Sequence, residues 1–269
     1  MEDKNKDFLS GRIKDLANRA YQNGFVTHTD FLSVSEIATF HQILKGEGVS
    51  SKSSHYCGAV YLLYGGYDEA ERAMVCFLPD YLDKETFLSM QEQQPEVLCC
   101  VRIVPVNARF SDELSHRDYL GSLMNLGIER DQIGDILTGE EKAYVFTTMD
   151  VAEIVCSELV RIKHTSVKAN KVSPSECDIR PKFQEISGSV ASERIDAIVA
   201  FVYHLSRSDA QRLIESESVF IDGRTAYSGG YDLKKGARVS VRGHGKFIYE
   251  GPSGTTRKGR LFVTVKLFI

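Results

Sequence analysis

No Cys-x-x-Cys pair occurs in this chain of 269 residues, although it holds six cysteines. Cys57, Cys76, Cys99, Cys100, Cys156 and Cys177 sit mostly among apolar neighbours, the pattern of reduced core thiols rather than of disulfides or zinc ligands. No metal site and no cofactor are expected. Long apolar runs are also missing: stretches such as Val97–Val101 are far too short to cross a bilayer. Met1 to Asp7 is too polar and acidic for a signal or transit peptide, so a cytoplasmic location is expected. No glycine-rich loop follows a first strand, which leaves a nucleotide cofactor without its phosphate cradle. His116-Arg117-Asp118 has the letters of a kinase catalytic loop but lacks the accompanying Asp-Phe-Gly.

What is present is an uneven charge. The formal net charge is −4, yet Ser192 to Ile269 carries 13 Lys and Arg against 8 Asp and Glu, while the remainder carries 20 against 29. A basic module on an acidic body suits a protein that docks on RNA by one end. At this length, with 42% hydrophobic residues, more than one core is expected.

The basic part begins with the most informative stretch, Arg194 to Gly223. Ile195, Ile198, Val199 and Val202 fall at helical spacing. Ser208 followed by Gln211 has the form of a capping box and predicts a second helix there, burying Ala210, Leu213 and Ile214. A helix start with free N–H groups and Arg207 beside it offers a phosphate site. Val219-Phe220-Ile221 reads as a strand running into the turn Asp222-Gly223. Arg194-Ile195-Asp196, Ser206-Arg207-Ser208-Asp209-Ala210-Gln211-Arg212, Val219 to Gly223 and Leu233 to Gly243 together resemble the S4 RNA-binding domain, an αL-type module. The chain departs from that pattern at Ile195, Asp222 and Ala237.

The whole is read as α+β. An N-terminal α+β domain (1–84) has helices near Asp7 to Ala20 and from Ser33, whose Glu36 completes a capping box; Val60 to Tyr64 and Ala73 to Leu78 form a hairpin around Gly65-Gly66. A middle domain (85–172) reads strand, helix, strand, strand, helix, strand, the βαββαβ order of ferredoxin-like and RRM-like folds. On its strands only Tyr144 and Phe146 would supply a stacking face, so a structural plait is expected rather than a base-stacking sheet. Ser115 and Asp118 start its first helix, leaving His116 and Arg117 as possible secondary RNA contacts. Residues 173–190 read as linker and lead-in, and 191–269 as the S4 module.

Ser115 to Gly121, Leu126 to Leu137, the upstream Gly65-Gly66-Tyr67-x-x-Ala70-Glu71-Arg72 and the C-terminal module, taken in order, resemble the bacterial YlmH family over nearly the whole chain. The resemblance implies a three-part cytoplasmic protein on the large ribosomal subunit, where it captures peptidyl-tRNA on stalled subunits in ribosome-associated quality control. It also implies a gene-neighbourhood link to cell division. The partners expected are rRNA and tRNA, with no membrane, no small-molecule substrate and a monomeric chain.

S4 modules are often tethered to enzymes, but this chain has no Lys-Met-Ser-Lys-Ser or His-Ile-Gly-His of a tRNA synthetase and no Gly-Arg-Leu-Asp of a pseudouridine synthase. No enzyme is expected and no catalytic residue is assigned. The candidate RNA-binding residues are Arg194, Ser206, Arg207, Ser208 and Arg212 around the two helices, Lys234, Lys235 and Lys246 in following turns, and Arg257, Lys258 and Arg260 in a glycine-flanked tip. This reading requires guanidinium groups that are not tied up by carboxylates of their own domain. The rival is an adaptor for division proteins in which the S4 region is only a scaffold; nuclease treatment strips partners from an RNA binder and not from an adaptor.

Overall fold

The computed structural model describes residues 2–50, 53–257 and 259–269. It divides into two compact units, 1–180 and 181–269. Both mix helices with antiparallel sheet, so the fold is α+β.

The first unit begins with α1 (Glu2–Asn23), which buries Leu9, Ile13, Ala17 and Ala20 at helical spacing. After the short β1 (Thr27–His28) comes α2 (Val34–Gly46). Its capping box is formed: the Ser33 N–H donates to the Glu36 carboxylate at 2.8 Å, and the Glu36 N–H donates to Ser33 Oγ at 3.4 Å. Strands β2 (His55–Tyr56), β3 (Ala59–Tyr64) and β4 (Met74–Leu78) complete a sheet ordered β1-β4-β3-β2. One face, with Tyr56, Ala59, Val75 and Phe77, packs on α1 and α2. Then α3 (Lys84–Gln93), capped by Asp83 through the Thr86 N–H at 2.8 Å, places Phe87 against the other face. Its sequence carries no clean apolar stripe, because Leu88 and Met90 are exposed.

Next come β5 (Cys99–Pro105), α4 (His116–Asn125), β6 (Ile133–Thr138), β7 (Ala143–Thr147), α5 (Met149–Glu158), β8 (Arg161–Ile162) and β9 (Thr165–Val172). They form an antiparallel sheet ordered β6-β7-β5-β9-β8, with the first strand inside, covered on one face by α4 and α5. The opposite face, with Cys100, Tyr144 and Phe146, shares a core with Leu62, Tyr64, Met74, Cys76 and Leu78 of the first sheet. The two sheets therefore pack face to face, and β4 is buried on both sides.

The segment 173–180, read from sequence as linker, is folded onto this sandwich. Ser173 caps a 3-10 turn at Pro174–Glu176, Cys177 is buried, the Tyr144 hydroxyl donates to the Glu176 carbonyl at 3.2 Å, and Lys142 pairs with Asp178. Polar composition concealed it because the contacts that hold it to the sandwich, buried Cys177 and the bonds to Tyr144 and Lys142, come from residues distant in sequence.

The second unit opens with β10 (Phe183–Val190), which is not a mere lead-in: it pairs along its full length with the last strand, β15 (Leu261–Phe268). Two helices follow, α6 (Ile195–Val202) and α7 (Arg207–Glu215), then β11 (Val219–Ile221), β12 (Arg224–Thr225), β13 (Arg238–Val241) and β14 (Gly245–Thr255). The sheet order is β10-β15-β14-β13-β11-β12, all antiparallel. Asp222 and Gly223 both have positive φ, 48° and 75°, the requirement of the tight turn joining β11 to β12. Asp222 stands there at low cost because its carboxylate also accepts the Arg238 N–H at 2.9 Å. Helix α6 sits on Val199, Ile198 and Ile195 against Phe247, Tyr249, Val263 and Val265.

Candidate nucleic-acid interface

Arg194 caps α6 and Arg207 opens α7, and the two side chains meet at Asp196. The Asp196 carboxylate, 7% exposed, accepts Arg194 Nη2 at 2.9 Å and Nε at 3.3 Å, and Arg207 Nη2 at 2.7 Å. Burial pushes this carboxyl up, but the hydrogen bonds and charges of Arg207 and Arg194 outweigh it and hold it below the usual carboxylate range. The carboxylate is therefore charged at neutral pH. The expectation of arginines free of carboxylates in their own domain is thus corrected: Arg194 and Arg207 share Asp196, and Arg212 pairs with Asp209 at 2.7 Å.

The pairing leaves a cationic site nonetheless. One carboxylate cannot neutralise two guanidinium groups, so the trio keeps a net positive charge. Three N–H groups go to Asp196, fewer than the two forks offer, and the arginine side chains remain 45% and 49% exposed. A buried anion holding two half-exposed cations also orients them, which lowers the entropy lost when they grip a phosphate. The Arg212 pair is different: at 74% exposure it is a solvated helix-surface pair of little energetic weight.

The start of α7 also differs from the sequence reading. Ser206, not Ser208, is the N-cap; its hydroxyl accepts the Asp209 N–H at 3.1 Å and donates to the Asp209 carboxylate at 2.6 Å. The helix begins one residue after Ser206 because a Ser-x-x-Asp pair satisfies both partners, which Ser208 with Gln211 does not displace. Ser208 Oγ lies 2.7 Å from Ser206 Oγ. One first-turn N–H is already capped and an aspartate stands in the first turn, which makes this helix end a poorer phosphate site than the sequence suggests.

The remaining candidates do not form one patch. Lys234 and Lys235 are exposed in the turn ending at Gly236, whose N–H bonds Tyr249 O at 2.7 Å. Lys246 lies at the start of β14 and Arg257 beyond its end, roughly 30 Å of strand apart. Arg257 is exposed at the β14–β15 tip, which Thr256 N–H closes onto Arg260 O at 2.7 Å. Arg260 is turned back, donating to Ser189 O at 2.8 Å. Lys258 lies outside the described residues. In the first unit, Asp118 is held down to about 2 by bonds from Lys163 and from the Ser115 side chain and N–H. It is a helix cap, and His116 and Arg117 stand exposed on that first turn.

The upstream glycine stretch is a latch within the first unit. Asp135 on β6 accepts the Tyr67 hydroxyl at 2.7 Å, the Glu71 N–H at 2.7 Å and the Arg72 N–H at 3.2 Å. Arg72 donates in turn to the carbonyls of Ile133, Phe31 and Arg130. A Cβ on Gly66 would stand 2.5 Å from the Phe146 ring, and one on Gly134 would stand 2.6 Å from Phe31. The glycines are there for close packing between sheets. Tyr144 and Phe146, 2% and 0% exposed, are covered by that packing and offer bases no stacking surface.

Among the described residues, no group of three or more His, Cys, Asp or Glu side chains is placed to hold a metal ion, and no helix is long and apolar enough to cross a membrane. All six thiols are free, and burial pushes those of Cys76 and Cys100 up.

Residues 100–176 match the family model described as "Putative RNA-binding domain in YlmH". A relative from Bacillus subtilis (strain 168), "Ribosome-associated protein quality control protein P2", is 29% identical over 204 residues, 74% of this chain and 75% of its own. A solved structure, "Cell division protein ylmH from Streptococcus pneumoniae", is similar with a TM-score of 0.48 at 23% identity, over 67% of this chain and 96% of that one. The middle domain thus matches the YlmH family model, and the chain is similar to the Bacillus relative over about three quarters of each chain.

Proposed function

We propose that this chain is a non-catalytic, monomeric RNA-binding protein of the large ribosomal subunit, with an S4-type C-terminal unit that holds rRNA and tRNA. Its target is peptidyl-tRNA on stalled 50S subunits, the step implied by ribosome-associated quality control. The observation that carries the reading is the Arg194–Asp196–Arg207 trio, two half-exposed guanidinium groups aimed by one buried carboxylate. Phosphate groups of a folded RNA suit that charge and geometry, because structured RNA displays backbone and 2′-hydroxyls rather than readable base edges. Lys234, Lys235 and Arg257 add cationic contacts along the same unit. The Bacillus relative's name points to the same setting.

Co-sedimentation with 50S subunits tests it. Arg207→Ala removes one guanidinium and leaves Arg194 to satisfy Asp196, so the protein stays folded while sedimentation is lost. Binding weakens steeply with salt, and the slope of log K against log salt falls by roughly 0.7–0.9 for each phosphate contact removed. Undiminished sedimentation of Arg207→Ala, or an affinity flat in salt, overturns the reading.

A further inference from the structure

The loop Ala226 to Asp232 lies against the Arg194–Asp196 pair. The Ile195 N–H donates to Tyr231 O at 2.8 Å and the Asp196 N–H to Gly229 O at 3.3 Å, while Arg194 and Asp232 form an isolated antiparallel bridge. Gly229 allows the close approach: a Cβ there would collide with the Gln211 side chain and stand 3.2 Å from Asp196 Cβ, whereas one on Gly230 would make only an ordinary contact, 3.9 Å from Arg194 Cζ. The loop is pinned at its Gly-Gly centre beside the arginines.

The residues flanking that centre are tyrosines, and neither is packed away. Tyr227 is 79% exposed and Tyr231 is 47% exposed. Rings of this size usually supply burial to a core or an interface. Here two of them stand on one short loop, held by backbone bonds, next to a site with surplus positive charge. Aromatic rings interleaved with cations form the surface on which a nucleotide is held, the phosphate by the cation and the base by the ring.

We propose that Tyr227 and Tyr231 stack an unpaired base of the RNA whose backbone is held by Arg194 and Arg207; this rests on the RNA reading above. The site then selects RNA with a loop, bulge or free end, because a base inside a continuous helix has no face to offer. The charge beside the loop favours RNA over an apolar protein segment as the occupant.

The test uses the full chain and two fluorescein-labelled RNAs of equal length and charge, a hairpin with a loop of unpaired adenosines and a blunt duplex. Tyr227→Ala/Tyr231→Ala loses roughly ten- to hundredfold affinity for the hairpin, the loss expected for one stacked base, and keeps its affinity for the duplex. Tyr227→Phe/Tyr231→Phe binds both like the parent, and Tyr227→Ala alone, at a site 79% exposed, shows part of the loss in a folded protein. Hairpin affinity unchanged in the double alanine variant, or equal losses on both probes, overturns the stacking proposal. If Arg207→Ala loses both probes while the tyrosine variants lose neither, the phosphate grip stands and stacking alone falls. A parent protein that binds neither probe removes both.

Discussion

Asp135→Ala strikes the latch that joins the two sheets of the first unit, and its cost follows from three hydrogen bonds. The Tyr67 hydroxyl, the Glu71 N–H and the Arg72 N–H all lose their carboxylate acceptor. A donor stranded without a partner costs about 1–3 kcal/mol. Burial pushes the Asp135 carboxyl up, so removing a partly desolvated charge returns some of that loss. The net expected is about 3–5 kcal/mol. Asp135→Asn is milder, about 1–2 kcal/mol, because its carbonyl can take the place of Oδ2, which serves both Tyr67 and Glu71, leaving one amide opposed to the Arg72 N–H. Because the chain holds two compact units, a single unfolding midpoint is ill defined; amide hydrogen exchange at Glu71 and Arg72 reads the latch directly, with calorimetry following the first unit. Exchange at those amides unchanged in Asp135→Ala, with stability shifted by less than about 1 kcal/mol, refutes the assignment.

Gly66→Ala places a methyl 2.5 Å from the Phe146 ring at a φ of 88°, so the first unit loses about 2–4 kcal/mol, measured as a lower melting transition with the second unit's transition unmoved. Ser33→Ala removes the cap of α2 and costs about 1 kcal/mol in the same measurement. The Asp196 carboxyl lies below its unfolded value of 3.8, so its stabilisation of the second unit is complete above that pH and disappears as pH falls through the lower folded value. Melting curves at pH 3 and pH 7 show the parent losing more stability than Asp196→Asn; parallel losses show that the carboxyl does not titrate as described.

Elements written in short windows were legible from the sequence. Ser33 with Glu36 marked the start of α2, Asp222-Gly223 marked the turn after β11, and the alternation of strand and helix from Val97 to Val172 gave the middle sheet its element order. Each depends on residues within a few positions of one another, where capping, φ preference and periodicity act. The start of α7 shows the margin of error: two serines stood two residues apart, and Asp209 decided for Ser206.

Placement across the chain was decided by the tertiary structure. Arg194 and Arg207 were visible as cations near a basic end, but Asp196 became their shared partner only when α6 and α7 packed together. Tyr144 and Phe146 had the spacing of a stacking face until another sheet covered them, while Tyr227 and Tyr231 gave no periodic signal and remained in water. Local propensity assigns each residue an element, whereas burial and charge pairing belong to surfaces that meet only when distant segments fold together, and binding depends on the second of these.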